Sequence, residues 1–354
     1  MNQIDEFLRK LTSRNGSDLH LVAGQPPRIR LYGDLIAIRP ESLSREEVQE
    51  LLLPIMSKQM RANFDEHDSC DFAYSVQDVA RFRVNIFRHL GGMGCVMRGI
   101  PSQAKTLDEL NMPVVLKNLC RHTQGMILVT GKTGSGKSTT LAAMIDEINK
   151  TINGHILTIE DPIEFVHQRH QCLISQRELG VHTPSFANAL HSALREDPDV
   201  ILVGEMRDLE TISIAVTAAE MGILVLGTLH TNGAGATIDR IINTFPANKQ
   251  NHVRTMLSTS LRGVVSQQLV PRKGGDGLVA ALEIMINTSA VSNIIRQGKL
   301  DQLENSMQGG RKDGMITMDS ALKNLMNKGT ITGKAAYHAA IEKRGFEDVK
   351  ELNA

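Results

Sequence analysis

The chain has 354 residues, of which 41% are hydrophobic and 3% aromatic, and its 39 lysines and arginines balance its 39 aspartates and glutamates. Zero net charge argues against a partner held by whole-surface electrostatics, such as bulk DNA or an anionic membrane, although a local basic groove is compatible with it. So few aromatic side chains argue against a stacking platform for single-stranded nucleic acid. A chain of this length predicts two domains.

The cysteines and the N-terminal segment exclude further classes. The four cysteines are Cys70, Cys95, Cys120 and Cys172, and they form no CxxC or CxxH pair. This spacing argues against a zinc ribbon and favours reduced, buried thiols. Residues 1–18 lack the apolar core of a signal peptide, and no stretch approaches the 18 consecutive apolar residues of a membrane span. We therefore expect a soluble, cytoplasmic protein.

Residues 1–100 predict a small α+β domain. An amphipathic helix is indicated by apolar residues at helical spacing, namely Ile4, Phe7, Leu8 and Leu11. Ser44 and Glu47 form a capping box, which predicts the start of a second amphipathic helix. Strand patterns occur at residues 18–22, at 29–38 as a hairpin turned at Gly33, and at 71–74 and 81–88.

Residues 101–113 predict a linker, because they contain turn residues, charges and two prolines. From residue 114 to 288 short apolar runs alternate with helical spacing. The runs are residues 126–130, 156–159, 200–203 and 223–229. This alternation predicts a mostly parallel sheet with helices on both faces. Residues 289–354 predict a helical C-terminal region, with a flexible stretch at residues 309–314.

A phosphate-binding loop is predicted directly after the first of these runs. Residues 131–138 match the GxxxxGK[ST] motif, and average residue usage would give about 0.01 such matches by chance. Its glycines let backbone N–H groups face phosphate oxygens, and the following helix contributes its positive end. Lys137 is expected to reach the β- and γ-phosphates of ATP, and Ser138 to ligate Mg²⁺. The predicted nucleotide-binding residues are Gly131, Thr133, Gly134, Ser135, Gly136, Lys137, Ser138 and Thr139.

Acidic residues follow two other predicted strands, where a sheet of this kind gathers its catalytic groups. Glu160, Asp161 and Glu164 come after the second apolar run, and Glu205 ends the third. One such carboxylate can hold Mg²⁺, directly or through water, and another can orient or deprotonate the water that attacks the γ-phosphate. The alternatives are a polar turn around Pro162 and a solvated strand end at Glu205.

His230 and several arginines complete the candidate site. His230 ends the fourth apolar run, where a polar side chain can sense the γ-phosphate or bridge to the acidic residues. Arginine matters because phosphoryl transfer builds negative charge, which a guanidinium from the same or a neighbouring subunit can neutralise. The candidates are Arg81, Arg83, Arg88, Arg195, Arg207 and Arg240. Each of them could instead be a surface or interface arginine.

These motifs together resemble those of the type II/IV secretion ATPase superfamily, and most closely the PilT type of twitching-motility ATPase, which retracts type IV pili. Five segments are similar to named motifs of the family. They are the early N-domain motif (residues 16–21), the Walker A motif (residues 131–139), the Asp box (residues 160–164), the Walker B motif (residues 199–205) and the His box (residues 228–232). Residues 290–296 are similar to the C-terminal signature of the retraction members, with Ser292 in place of its inner arginine.

The resemblance implies a PAS-like N-terminal domain joined to a RecA-like ATPase domain, with six subunits in a ring. It implies that Glu164 is the general base, that Glu205 acts through Mg²⁺ or its waters, and that His230 couples the site to domain motion. Glu160 and Asp161 are assigned to the nucleotide site on the same grounds. The implied partner is an inner-membrane platform protein of the pilus machine, which would hold the ring at the cytoplasmic face of that membrane. From the neutral charge and the few aromatic residues we expect no nucleic-acid partner.

Three alternatives stay open. A pilus-extension or secretion ATPase of the same superfamily shares this core, but that class adds a tetracysteine zinc insertion, and this chain has no CxxC pair. A RecA-like nucleic-acid translocase is disfavoured by the neutral charge and the few aromatic residues. A nucleotide-gated binding module that hydrolyses little, like an accessory retraction subunit, is disfavoured by the intact acidic motifs.

Overall fold

The computed structural model describes residues 2–31, 34–100, 104–275 and 277–349. The chain divides into two compact units. The first unit comprises the residues up to Gln103 together with Glu164–Val166, and the second comprises Ala104–Ile163 and the residues from His167 onward. The predicted turn at Gly33 and the first three residues of the predicted linker lie outside the described residues. The domain limits expected at residues 100, 113 and 288 stay predictions.

In the described residues, the first unit is built from one antiparallel sheet and three helices. The strands are β1 (Asp18–Val22), β2 (Arg28–Leu31), β3 (Asp34–Ala37), β4 (Ser69–Val76), β5 (Ala80–His89) and β6 (Gly92–Ile100). The helices are α1 (Ile4–Ser13), α2 (Arg45–Leu52) and α3 (Lys58–His67), with a 3₁₀ turn at Leu53–Ile55. The strand order is β3-β2-β1-β6-β5-β4. The α+β prediction for this region is confirmed.

Alternation along the strands separates an apolar face of this sheet from a polar one. Leu19 on β1 and Val84 on β5 are fully buried in a core that also contains the apolar sides of α1 and α2. The opposite face carries Arg83 on β5 paired with Arg98 on β6, and Arg98 Nε donates to the buried Asp18 at 2.8 Å. The helices therefore cover one face, and arginines occupy the other.

The described part of the second unit is built from a seven-stranded sheet and ten helices. The strands are β7 (Gly125–Thr130), β8 (His155–Glu160), β9 (Leu173–Glu178), β10 (Val200–Val203), β11 (Leu224–Leu229), β12 (Leu261–Pro271) and β13 (Leu278–Ile286). The helices are α4 (Val114–Cys120), α5 (Lys137–Thr151), α6 (Phe186–Ala193), α7 (Leu209–Glu220), α8 (Ala234–Thr244), α9 (Ala247–Ser260), α10 (Ser289–Gln297), α11 (Leu303–Gly309), α12 (Met318–Asn327) and α13 (Gly333–Ala339). Further 3₁₀ turns span Leu300–Gln302, Gly310–Asp313 and Lys343–Val349.

The sheet of the second unit has the order β13-β12-β7-β11-β10-β8-β9, and β13 is the strand that runs antiparallel to its neighbour. Every residue of β7, β10 and β11 is buried. One face packs against α4 and α5, and the other packs against α6 to α10. The mostly parallel sheet with helices on both faces is therefore confirmed, and burial on both faces explains the unbroken apolar runs.

Several elements differ from the sequence prediction. The strands β6, β9, β12 and β13 and the helix α3 were not predicted. Residues 104–113 belong to the second unit, where Leu107 is buried beside α4 and α5. The stretch expected to be flexible forms a 3₁₀ turn with Gly310 buried. Among the described residues, the structure contains no helix with both the length and the hydrophobicity needed to cross a bilayer.

Candidate nucleotide-binding site

The parallel strands of the second unit bring four predicted motifs to one edge of the sheet. β7 leads into the phosphate loop, β8 into the acidic loop (residues 160–166), β10 into Glu205 and β11 into His230. Since β8, β10, β11 and β7 pair in parallel, their carboxyl ends lie side by side. Open α/β sheets bind their ligands at this edge.

The phosphate loop has the backbone that the motif requires. Gly134 and Gly136 have φ values of 79° and 87°, in the left-handed region that favours glycine. A Cβ added to Gly134 would meet no atom within 4 Å, so this part of the loop faces open space. The N-cap residue of α5 is Gly136, which has no side chain to cap the helix, and N–H groups at a helix start are suited to bind an anion.

Lys137 lies across the loop that it terminates. Its side chain is buried with the start of α5, and its Nζ donates to the carbonyl oxygens of Gly131 at 2.8 Å and Lys132 at 3.1 Å. Ser138 is exposed one residue further along the helix. The loop therefore places an ammonium group and a hydroxyl group beside the uncapped helix N-terminus, the combination that binds a nucleotide phosphate.

A cleft of about 560 Å³ opens beside the loop. It is lined by Thr133, Glu205, Met206, Arg207, Leu229, His230, Thr231 and Arg240. His230 lies between two predicted motifs, because its Nε2 is 2.9 Å from Glu205 Oε1 and its Nδ1 is 3.4 Å from Thr133 Oγ1. The structure thus links the Walker B carboxylate to the phosphate loop through His230.

Arg207 forms a fork on the same carboxylate. Its Nε bonds Glu205 Oε1, and its Nη2 donates to Oε2 at 2.6 Å. Hydrogen bonding and charge from Glu205 raise the pKa of Arg207 above its ordinary value. Asp208 caps the following helix. Burial alone would raise its pKa, but the hydrogen bonds from Thr211 and from the backbone N–H groups of Asp208 and Glu210 together outweigh burial and lower it. Both residues fix the segment that follows β10.

The acidic loop is held by side chains from β8 and β9 that are not among the residues predicted from the sequence, apart from Glu160 itself. Glu160 Oε1 accepts hydrogen bonds from Thr158 Oγ1 at 2.6 Å and Gln176 Nε2 at 3.2 Å. The buried Glu178, on β9, accepts the N–H of Ile163 at 3.2 Å. The sequence signal for Glu178 is the acidic residue at the end of the segment Ser175-Gln176-Arg177-Glu178. Because this segment is polar, it lacks the apolar pattern that would predict a strand.

Glu164 follows this anchored position directly in the chain. It is exposed and is grouped with the first unit. Asp161 is also exposed. The structure therefore holds Glu160 and Ile163 firmly within the second unit and leaves the two other predicted carboxylates at the surface of their units.

The six candidate arginines fall into three groups. Arg207 and Arg240 line the cleft. Arg195 is exposed beyond α6 and is not part of the cleft lining. The remaining three, Arg81, Arg83 and Arg88, belong to the first unit.

Within the first unit, Arg88 already has local partners. Its Nε is 2.6 Å from Asp68 Oδ1, and its guanidinium lies 4.9 Å from the centre of the Phe64 ring. Arg81 and Arg83 lie on the polar face of the sheet, at alternate positions of β5. The contacts of Arg88 with Asp68 and Phe64 give it a structural role within the first unit.

The donor set fits Mg²⁺ together with a nucleotide. No group of three or more His, Cys, Asp or Glu side chains in the described part of the chain is arranged to hold a metal ion. Mg²⁺ takes hard oxygen ligands and is commonly bound by one or two protein groups, with phosphate oxygens and water completing its shell. The hydroxyl of Ser138 and the carboxylate of Glu205 have this chemistry.

The fold and this site define a P-loop ATPase with a PAS-like first unit and a RecA-like second unit. The chain belongs to the family of type II/IV secretion system proteins, whose model matches residues 2–334. The resemblance inferred from the motifs is therefore confirmed, and the protein is an ATP-hydrolysing enzyme.

Three similar proteins show where in this family the chain lies. The type IV pilus retraction ATPase PilT of Pseudomonas aeruginosa is 52% identical over 95% of this chain and 98% of its own length. A twitching motility protein of Neisseria gonorrhoeae is 52% identical over 89% of this chain and 84% of its own length. The crystal structure of the pilus retraction motor PilT with bound ADP has a TM-score of 0.92 at 43% identity and covers 99% of this chain and 100% of that one.

Proposed function

We propose that the protein is a hexameric, Mg²⁺-dependent motor that hydrolyses ATP to retract type IV pili and so supports twitching motility. The observation that carries the proposal is the 52% identity to a retraction ATPase over nearly the full length of both chains. The site supports it, because the phosphate loop, Glu205 and His230 meet at one edge of the sheet with the groups that ATP hydrolysis requires.

ATP binding is assigned to the phosphate loop. The N–H groups at the start of α5 and the loop glycines receive the β-phosphate, and Lys137 reaches the β- and γ-phosphates. Ser138 and Glu205 are the residues that would hold Mg²⁺, which when bound neutralises charge on the β- and γ-phosphate oxygens. Thr133, at the cleft, and Thr139, on the first turn of α5, are assigned to the same phosphates.

The chemical step is assigned to Glu164 as general base. Its carboxylate accepts a proton from water while the water oxygen bonds to the γ-phosphorus and the bond from that phosphorus to the β–γ bridging oxygen breaks. The products are ADP and inorganic phosphate. Glu160 already accepts two hydrogen bonds from its own unit, whereas Glu164 is exposed, which supports Glu164 as the base.

Stabilisation of the negative charge that develops in the transition state is assigned to arginines. Arg207 and Arg240 line the cleft of the same subunit. Arg81 and Arg83 lie on the polar sheet face of the first unit, from which they would serve the site of a neighbouring subunit in a ring. Arg195 has the weakest support of the predicted set, because it is exposed outside the cleft.

Coupling to movement is assigned to His230. Because it bridges Thr133 and Glu205, it is placed to respond when the γ-phosphate departs, and through the chain that follows it to shift α8. We propose that hydrolysis changes the angle between the two units and that the ring passes this change to a platform protein. The ring would then work at the cytoplasmic face of the inner membrane, attached through that partner.

Deletion of the gene in its host tests the direction of the motor. Cells that carry surplus pili and cannot twitch, with both properties restored by the parental gene, would support retraction. Cells without pili would contradict it and favour an extension ATPase. Sedimentation of the purified protein with ATP and Mg²⁺ tests the ring: a species that stays monomeric at micromolar concentration contradicts the mechanism as stated.

A further inference from the structure

Strand β12 carries two polar side chains in the interior of the second unit. Ser266 and Gln267 are each 2% exposed, directly after the fully buried Val264 and Val265. The strand pairs in parallel with β7, and Ser266 lies opposite Thr130, the last residue before the phosphate loop. A polar group buried at such a place is expected to have a specific hydrogen-bond partner.

Gln267 connects the phosphate loop to the helix that follows it. Its Nε2 donates to the carbonyl oxygen of Ser135 at 2.7 Å. Its Oε1 accepts the hydroxyl of Thr140, on α5, at 2.7 Å. One side-chain amide therefore satisfies both its donor and its acceptor on the element that receives the phosphates.

The hydrogen bond to Ser135 sets the orientation of a loop peptide. In a planar trans peptide the C=O and the next N–H point in opposite directions. Since the Ser135 carbonyl is held toward β12, the N–H of Gly136 is directed to the other side of the loop. That is the orientation in which a loop N–H faces a phosphate oxygen.

Two glycines of the motif allow β12 to come this close. A Cβ on Gly131 would collide with the backbone oxygen of Gln267, and a Cβ on Gly136 would lie 2.8 Å from Gln267 Nε2. Both contacts are shorter than real Cβ atoms tolerate. The glycine pattern therefore accommodates Gln267 as well as a tight turn.

Ser266 holds the loop after His230, as Gln267 holds the phosphate loop. Successive residues of a strand point to opposite faces, so Ser266 and Gln267 reach different loops. Ser266 Oγ accepts the N–H of Gly233 at 2.8 Å, at the point where α8 begins. Adjacent residues of one strand thus hold the two loops that His230 and Thr133 join across the cleft.

We propose that Gln267 is a positioning residue that presets the phosphate loop for the nucleotide, and that Ser266 positions the His230 loop. The inference rests on ATP binding by this site and is independent of pilus retraction. It is tested with purified protein, so its failure would be distinguishable from the absence of a twitching defect in cells.

Gln267→Glu tests the proposal with almost no change of side-chain volume. The ionised carboxylate would face the Ser135 carbonyl with no proton to donate, so the loop would lose its preset orientation. We expect ADP to bind at least about tenfold more weakly, which corresponds to about 1.4 kcal/mol, and the KM for ATP to rise more than kcat falls. ADP affinity is measured by calorimetry, with the Tm of the nucleotide-free protein recorded beside it.

Lowering the pH should rescue this variant. A buried carboxyl titrates above its reference pKa of about 4.3, and once protonated it can donate to Ser135 and accept from Thr140. The charged side chains of the loop and the first turn of α5 are Lys132 and Lys137, which are present in both proteins. The ratio of variant to parental ADP dissociation constants should therefore fall between roughly pH 8 and roughly pH 6.

Gln268→Glu is the matched control. Gln268 is the next residue on the strand, it is half-buried, and its side chain points to the opposite face from Gln267. We expect this variant to bind ADP like the parent at both pH values. An equal loss in the two variants would show that charge on β12, rather than the contact with Ser135, weakens binding, and would overturn the proposal.

Two further variants keep the proposal testable if Gln267→Glu folds poorly. Thr140→Val removes the partner of Gln267 Oε1 and should weaken ADP binding in the same direction by a smaller factor. Ser266→Ala should lower kcat and leave ADP affinity within about twofold of the parent, because the His230 loop contacts no diphosphate in the proposed site. Parental ADP affinity in Gln267→Glu, or in Thr140→Val where the first is insoluble, would overturn the assignment.

Discussion

The phosphate loop and the acidic loop serve the same substrate in the proposed mechanism, but they are held in different ways. The phosphate loop is fixed inside the second unit, where Gln267 bonds the Ser135 carbonyl and Lys137 bonds the Gly131 carbonyl. The acidic loop is fixed in that unit at Ile163, whose N–H meets Glu178. Its next three residues are grouped with the first unit.

This difference indicates which loop needs rigidity and which can share in a movement. Donors for phosphate oxygens act best when they are already oriented, because no reorganisation is then required on binding. A base is needed at hydrolysis alone, so it can lie on a segment that belongs to both units. We therefore expect changes in the phosphate loop to impair binding and turnover together, and changes in the acidic loop to impair turnover alone.

Lys137→Ala should have the largest effect, because it removes the cation that we assign to the β- and γ-phosphates. We expect kcat to fall by about 10²–10³ or more, with weaker binding of both ATP and ADP. Steady-state hydrolysis and calorimetric titration measure the two effects. Lys132→Ala is the matched control, since Lys132 is exposed in the same loop, and it should retain most activity. Parental ADP affinity in Lys137→Ala would show that the phosphate loop does not need this cation to bind a nucleotide.

Glu164→Gln should have the second-largest effect, and this effect should be on kcat alone. The amide cannot accept the proton of the attacking water, so we expect kcat to fall by about 10²–10⁴. ATP affinity should stay near the parental value, because the phosphates are bound by the other loop. Hydrolysis at the parental rate would show that Glu164 is not the base. Loss of ATP binding would show that the acidic loop also binds the nucleotide, so that the two loops do not divide binding and turnover between them.

Glu178→Gln should have a smaller effect of the same kind. It weakens the hydrogen bond that holds Ile163, one residue before the base, so we expect kcat to fall by about three- to tenfold with little change in nucleotide affinity. In a Glu164→Gln background the second substitution should add almost nothing, because it acts through a base that is already absent. If the two substitutions lowered kcat by independent factors that multiply, Glu178 would act in some way other than by positioning Glu164.

The sequence predicted the parts of the fold and of the site whose signal is local. The strand, loop and helix around Lys137 and the capping box of Ser44 and Glu47 are written in short, regular patterns, and both are confirmed. The placement of Glu205 beside His230 follows from two adjacent parallel strands. The roles of these residues stay predictions.

The side chains that hold the loops could not be predicted, because they come from elements without a clear pattern. β12 mixes a buried apolar run with Ser266, Gln267 and Gln268, and β9 is a largely polar edge strand, so neither has the unbroken apolar run of the central strands. Their contacts also join distant positions, as when Gln267 meets Ser135 across 132 residues. Only the folded sheet order brings such pairs together.

The smallest expected effect concerns the loop after His230, which is held by another buried carboxylate. Glu283 on β13 accepts the N–H of Ala234 at 2.8 Å and that of Met318 at 3.3 Å, at the starts of α8 and α12. Burial, together with the negative charges of Glu304 and Asp319, raises the pKa of Glu283 more than these hydrogen bonds lower it. The folded protein therefore holds this proton more tightly than the unfolded chain does, and the contribution of Glu283 to stability falls as the pH rises from about 4.3 through its raised pKa.

Glu283→Gln tests whether the hydrogen bonds of Glu283 contribute to the stability of the fold or to nucleotide binding. The amide offers one acceptor for two N–H groups, so the Tm should fall by a few degrees at low pH. The gap to the parental Tm should narrow as the pH rises, because the variant has no proton to lose, and ADP affinity should stay parental. Tm curves that run parallel across this pH range would show that Glu283 does not titrate as inferred. A loss of ADP affinity would extend the rigid, nucleotide-binding part of the site from the phosphate loop to the His230 loop.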